Sequence, residues 1–272
     1  MVIMKNLIIA LLLITISSCA TSPTGRSQLM LVSPEQAISA SREAYIQTLN
    51  PLQKKGKIDS DAATSARIKL ITGRLIAQSI ILYPHTRDWE WSVKVIDDPE
   101  MVNAWCMAGG KMAIYTGLID KTEATDDEIA QVMGHEISHA LANHTAERMS
   151  ITLASQLGLT GLAIATRDNN YGGAILTGSA LAAALAITLP NSRTSESEAD
   201  VMGIEIAARA GYDPRAAATL WQKMGSVGGD TPPQFLSTHP SPVNRQESLS
   251  ALAKQLMPYY LEKKDRPVYQ LQ

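Results

Sequence analysis

Midway along the chain stands His135-Glu136-Ile137-Ser138-His139, and these five residues set the expectation for everything around them. On a helix, positions i and i+4 share one face about 5–6 Å apart, so both imidazoles can reach one metal ion. Zinc takes neutral imidazole nitrogens and prefers four ligands. Glu136 follows His135 directly and can act as general base toward a water beside the metal. The flanks read as a helix. Thr125 and Glu128 have the spacing of a capping box, and Asp126 and Asp127 suit the positive end of a helix dipole. Ile129, Val132, Met133 and Leu141 offer an apolar face. The helix is expected to reach Met149. The competing reading is a surface helix with two solvated histidines.

A catalytic zinc needs a third protein ligand and one open position. The metzincin pattern would put a Gly at 142 and a His at 145, and Ala142 and Thr145 exclude it. His144 is one position off and is expected at the surface. Ser195-Glu196-Ser197-Glu198-Ala199-Asp200 fits better. On a second helix Glu196 can ligate zinc. Asp200, one turn later, can accept the ring N–H of a ligand histidine and fix its tautomer. Glu198 falls on the other side of such a helix. The competing reading of this segment is an acidic, solvated helix start, which the dipole also favours.

Working outward, Trp89, Trp91, Val93 and Val95 alternate with polar residues and predict a strand with one buried face. Two more strands, near 102–107 and 111–115, flank Ala108-Gly109-Gly110, a hairpin signal. Upstream, Ser33-Pro34-Glu35-Gln36 opens a helix that Asn50-Pro51 should stop, and a second helix is expected over 60–82. Downstream, 151–189 is rich in Ala, Gly and Leu. Within it 174–189 is apolar but short and holds Thr177, Ser179 and Thr188, so a buried helix is expected rather than a membrane span. Further helices are predicted at 195–209, 214–225 and 242–256.

The 272 residues are 45% apolar and 18% charged, enough for a sizeable core, and aromatics are only 5%, which suits a mostly helical protein. The net charge of −2 and the lack of a basic block argue against nucleic-acid binding. Lys5 and the apolar run Leu7 to Ile16 resemble a signal peptide, and Ile16-Ser17-Ser18-Cys19 resembles a bacterial lipobox, cut before Cys19 and acylated on its thiol. The competing reading is an ordinary signal peptide with a chance Cys. Cys106 then has no partner and is expected to be a small core residue. The expected organisation is a signal at 1–18, a tether at 19–32, one zinc metallopeptidase domain at 33–256 and a tail at 257–272.

Taken together, the His135–His139 motif and Ser192-Arg193-x-x-Glu196-x-x-Ala199-Asp200 resemble the HtpX/BepA-like zinc peptidases, a family that also holds the CAAX prenyl proteases and the mitochondrial Oma-type proteases. Pro23 to Ser33 resembles the segment before the catalytic domain of Oma-like members. Asn103-Ala104-Trp105 with Gly109-Gly110 resembles the family's edge-strand hairpin, and His239-Pro240 with Arg245 its C-terminal motif. The chain lacks the spanning helices of the integral-membrane members and resembles the soluble, periplasmic lipoprotein branch.

The resemblance implies an α+β, mostly helical, gluzincin-type fold with a small mixed sheet beside the active-site helix. It implies one Zn2+ per chain on His135, His139 and Glu196, with Asp200 behind them and Glu136 as base. It also implies that Asn103 and Ala104 bind the substrate backbone, and that His239 either blocks the zinc or polarises the scissile carbonyl. Against these last roles stand a plain strand-end Asn and a plain loop His. The implied activity is endoproteolysis of misfolded or unassembled cell-envelope proteins by a protein anchored through lipid on Cys19, facing the periplasm, with the outer membrane as expected address. Two rivals stay open: a latent peptidase acting mainly as chaperone or assembly factor, and an amidase on the same zinc site.

Overall fold

The computed structural model describes residues 19–165, 192–227, 233–240 and 244–271. The expected signal at 1–18 and the apolar 174–189 lie outside the described residues. In chain order the elements are β1 (Cys19–Thr21), β2 (Ser27–Leu29), α1 (Pro34–Lys54), α2 (Ala62–Leu82), β3 (Ser92–Ile96), β4 (Ala104–Met107) and β5 (Lys111–Tyr115). Then follow α3 (Thr116–Lys121), α4 (Asp126–Leu141), α5 (His144–Ala165), α6 (Arg193–Arg209), α7 (Ala216–Val227), α8 (Gln234–Thr238) and α9 (Arg245–Leu261). The chain forms two compact units, one of residues 1–37 with 143–189, the other of 38–142 with 190–272.

In the larger unit a three-stranded sheet of order β3-β5-β4 pairs β3 parallel and β4 antiparallel to β5. It is the small mixed sheet that was expected. Gly109 and Gly110 turn the β4–β5 hairpin at φ 80° and 78°, which a side chain rarely adopts. The edge strand β4 packs on α4. That helix runs through the core: every residue from Glu128 to Leu141 is buried, so it has no solvated face. Ile129, Met133 and Ile137 are each fully buried, worth roughly 1.5–3 kcal/mol apiece. Thr125 and Glu128 form the expected capping box. Helix α6 meets α4 at two glycines, Gly134 and Gly203: a Cβ on Gly203 would sit 2.7 Å from the His135 backbone nitrogen. This contact holds the two halves of the site at backbone distance.

Several boundaries differ from expectation for local reasons. Helix α1 passes through Pro51 and ends at Lys54. Leu49 is buried in a cluster with Ile58, Ile96 and Ala113, against which Leu52 packs, and that burial outweighs one missing hydrogen bond. Strand β3 starts at Ser92, because the Trp91 backbone N–H bonds the Trp89 carbonyl at 2.9 Å rather than a neighbouring strand, and its indole N–H bonds the Thr86 carbonyl. Helix α4, expected to reach Met149, stops at Leu141, and Asn143 takes a left-handed φ of 55° before a new helix begins. Helix α9 extends to Leu261, and beyond it the Tyr269 N–H bonds to the Gly73 carbonyl.

The smaller unit orders what was expected to be a plain tether. β1 and β2 pair antiparallel, and Arg26 grips Glu147 of α5 through two hydrogen bonds of 2.6 and 2.7 Å, with Gln28 adding a third at 2.9 Å. His144, expected at the surface, is 2% exposed. Burial opposes ionisation of Glu147, but the hydrogen bonds from Arg26 and Gln28 outweigh it and lower the carboxyl's pKa, with nearby His144 adding a little.

Candidate metal centre

Helix α4 brings His135 and His139 to one place, α6 adds Glu196 and Asp200, and the residue that caps α8 adds His239. All five are buried. One ligand atom from each of His135, His139, Glu196 and His239 can be chosen so that all lie within 4.8 Å of one another. His135 Nε2 lies 3.1 Å from His139 Nε2 and 3.3 Å from Glu196 Oε2. His139 Nε2 lies 3.4 Å from Glu196 Oε1. The sequence-derived ligand set is therefore one cluster, and His239 joins it, with Nδ1 3.0 Å from Glu196 Oε1.

The donor chemistry fits zinc. His135 Nδ1 is 3.0 Å from Asp200 Oδ1, so a neutral His135 gives its ring proton to Asp200 and turns the lone pair of Nε2 inward. That lone pair faces a carboxylate oxygen and another imidazole nitrogen, an arrangement of converging acceptors that a cation resolves. The same convergence acts on protons. Burial alone would lower the His135 pKa, but the hydrogen bonds to Asp200 and Glu196 outweigh it and raise the value to about 9. Burial likewise opposes ionisation of Glu196, yet three imidazoles hold its carboxyl far below the usual range.

Glu136 lies beside the ligand cluster, near the Cys106 backbone of β4, which favours its carboxylate form. Its Oε1 is buried without a hydrogen bond, 3.3 Å from His239 Nε2. Burial raises the Glu136 pKa, which suits a base working near neutrality. Cys106 itself is a free, buried thiol whose pKa burial pushes well up, as expected of a core residue.

Asn103 and Ala104 lie at the start of the edge strand, outside the four-residue group. Asn103 Oδ1 accepts from the Ala104 N–H at 3.0 Å, and its carbonyl accepts from Tyr115 at 3.1 Å. Cys19 opens β1. Glu198 is buried rather than solvated, and stands outside the metal group. Three further residues shape the site. Arg245, read from the sequence only as part of a C-terminal motif, reaches both Asp200 and Glu196. Phe235 stacks on His239 with ring centroids 4.3 Å apart, and Trp221 meets His135 edge-on at 5.8 Å. Phe235 is the chain's one Phe, but no spacing tied it or Trp221 to the histidine motif.

A family model described as Peptidase family M48 matches residues 62–253. Among similar proteins, Metalloendopeptidase OMA1, mitochondrial, of Bos taurus is 33% identical over 247 residues, covering 86% of this chain and 46% of the relative. Mitochondrial metalloendopeptidase OMA1 of Arabidopsis thaliana is 38% identical over 169 residues, 61% of this chain and 32% of the relative. Beta-barrel assembly-enhancing protease of Escherichia coli (strain K12) is 31% identical over 170 residues, 59% and 34%. The chain thus matches a third to a half of the length of these relatives. The matched stretch contains the whole metal cluster, the edge strand and Arg245, and the chain belongs to peptidase family M48.

Proposed function

We propose that the protein is a zinc-dependent endopeptidase in which His135, His139 and Glu196 hold the metal. The carrying observation is the convergence of these donors, with His239, within 4.8 Å in a buried cluster backed by Asp200. Zinc supplies Lewis acidity toward a peptide carbonyl and acidifies a water. Glu136 takes the proton of the attacking water and delivers it to the leaving amine, so no covalent intermediate forms. Strand β4 pairs with β5 along one edge, and an extended substrate segment adds along the other, with Asn103 and Ala104 contacting its backbone. Such strand addition favours unstructured segments over folded ones.

The test is digestion of casein with and without chelator, with products read by mass spectrometry. Internal peptide cleavage that stops with chelator is expected. Release of non-peptide amides alone would favour the amidase reading.

The clients we assign are misfolded or unassembled cell-envelope proteins, met at a membrane to which lipid on Cys19 holds the enzyme on the periplasmic side, with the outer membrane as address. The name of the Escherichia coli relative, which joins proteolysis to barrel assembly, supports this reading. A second reading has its own observation. His239 stands within the metal group, 3.0 Å from Glu196, so its imidazole can fill the position that water needs. In that state the protein is latent and acts on clients as a chaperone or assembly factor.

A further inference from the structure

Arg245 is buried, and its guanidinium lies 3.3 Å from the centroid of the Trp221 ring. Its Nη2 donates to Asp200 Oδ1 at 2.6 Å and reaches Glu196 Oε2 at 3.5 Å. Nε and Nη1 are buried and have no hydrogen-bond partner among the described residues. A buried guanidinium ordinarily spends its whole fork on acceptors. Here the indole face stands where the remaining acceptors would be, as cation–π contacts allow.

Trp221 is itself held in place. On the same helix, Thr219 and Lys223 donate to Glu128 at 2.9 and 2.8 Å, and Glu128 closes the capping box of α4. Helix α7 is thus tied to the start of the helix that carries His135. The Trp221 ring then touches His135 at one side and Phe235 at another, with centroids 5.8 and 5.3 Å away.

We propose that Trp221 and Arg245 are a pair of positioning residues, stacked so that one guanidinium spans Asp200 and Glu196 and fixes both for metal binding without touching the metal. The inference rests on the zinc-site reading above. Glu136, Glu196 and Asp200 crowd three carboxyl groups into a buried space. Left alone, Asp200 and Glu196 would turn apart. The shared cation keeps Asp200 on His135 Nδ1 and leaves Glu196 with an oxygen for the metal. An ammonium carries the charge but has no plane to lie on the indole face while one of its nitrogens reaches both carboxylates.

The experiment is zinc titration of metal-free protein against a chromophoric chelator, with near-ultraviolet circular dichroism to follow the fold. Arg245→Lys and Trp221→Leu should each weaken zinc binding about 10-fold or more, the usual scale for groups behind metal ligands. Trp221→Phe, which keeps an aromatic face, should stay within about 3-fold of wild type. The double variant Trp221→Leu/Arg245→Lys should bind no worse than about 3-fold below Arg245→Lys, because coupled residues are not additive. Full retention of affinity by Arg245→Lys would overturn the proposal, as would equal losses in Trp221→Leu and Trp221→Phe, or additive losses in the double variant. A wild-type protein that takes up no zinc overturns the metal-site reading and the pair with it. Zinc uptake unchanged in every variant overturns the pair alone.

Discussion

Glu136 and His239 face each other across 3.3 Å at the buried centre of the site, and they carry the sharpest single-residue consequences. Glu136 does not belong to the metal group. Glu136→Gln should therefore keep metal content and fold while turnover falls by roughly 10²–10⁴, the usual worth of a general base. Near-normal casein cleavage by that variant, at full zinc content, would remove Glu136 from the mechanism. In the latent reading proposed above, His239 competes for the position that water must occupy, and Phe235 stacks on its ring with centroids 4.3 Å apart. His239→Ala should raise basal proteolysis severalfold. A fall would mean that the imidazole serves the developing oxyanion instead, and an unchanged rate and zinc affinity would make it a plain structural residue.

At the scale of elements, α4 is the member on which the site depends. It is buried along its length and held at its start by Glu128, which accepts from Thr125, Thr219 and Lys223. Burial opposes ionisation of Glu128, but Lys223 and the two threonines win and lower its pKa. A depressed folded-state pKa stabilises above the unfolded value and loses that contribution as pH falls through the folded one. Glu128→Ala should thus cost about 1–2 kcal/mol at neutral pH. The gap from wild type should close well below the ordinary glutamate pKa of about 4.3. Denaturant unfolding of both proteins at the two pH values measures it, and a gap independent of pH would show that the carboxylate's charge contributes nothing. The capping box at 125–128 was legible because its chemistry is local. The stop at Leu141 was not: Ala142-Asn143 carries no strong breaker, and Asn143 enters the left-handed region without a glycine.

On the scale of the whole molecule, the segment after Cys19 is ordered, with Arg26 and Gln28 bound to Glu147. Among the described residues no helix is long and apolar enough to cross a membrane. If lipid on Cys19 holds the protein at a membrane, as proposed, attachment depends on that side chain, because several acyl chains anchor stably where one binds marginally. Cys19→Ser should move the protein from the membrane pellet to the soluble fraction. If the variant still pellets after a high-salt wash, the anchor lies elsewhere, with the apolar 174–189 the first place to look.

Sequence alone determined the parts whose chemistry is written at fixed spacing. His135, Glu136 and His139 sit at helical separations, Glu196 and Asp200 stand one turn apart, and Gly109-Gly110 marks a hairpin. Local rules of helix period and backbone freedom suffice for such features. The tertiary structure decided the rest. Pro51 remains helical because Leu49 and Leu52 find a core. His239 enters the metal group, and Trp221 and Arg245 close behind Glu196 and Asp200, only through packing among α6, α7, α8 and α9. Those contacts join residues that are far apart in sequence, and no periodicity records which distant side chains a buried charge will need as neighbours.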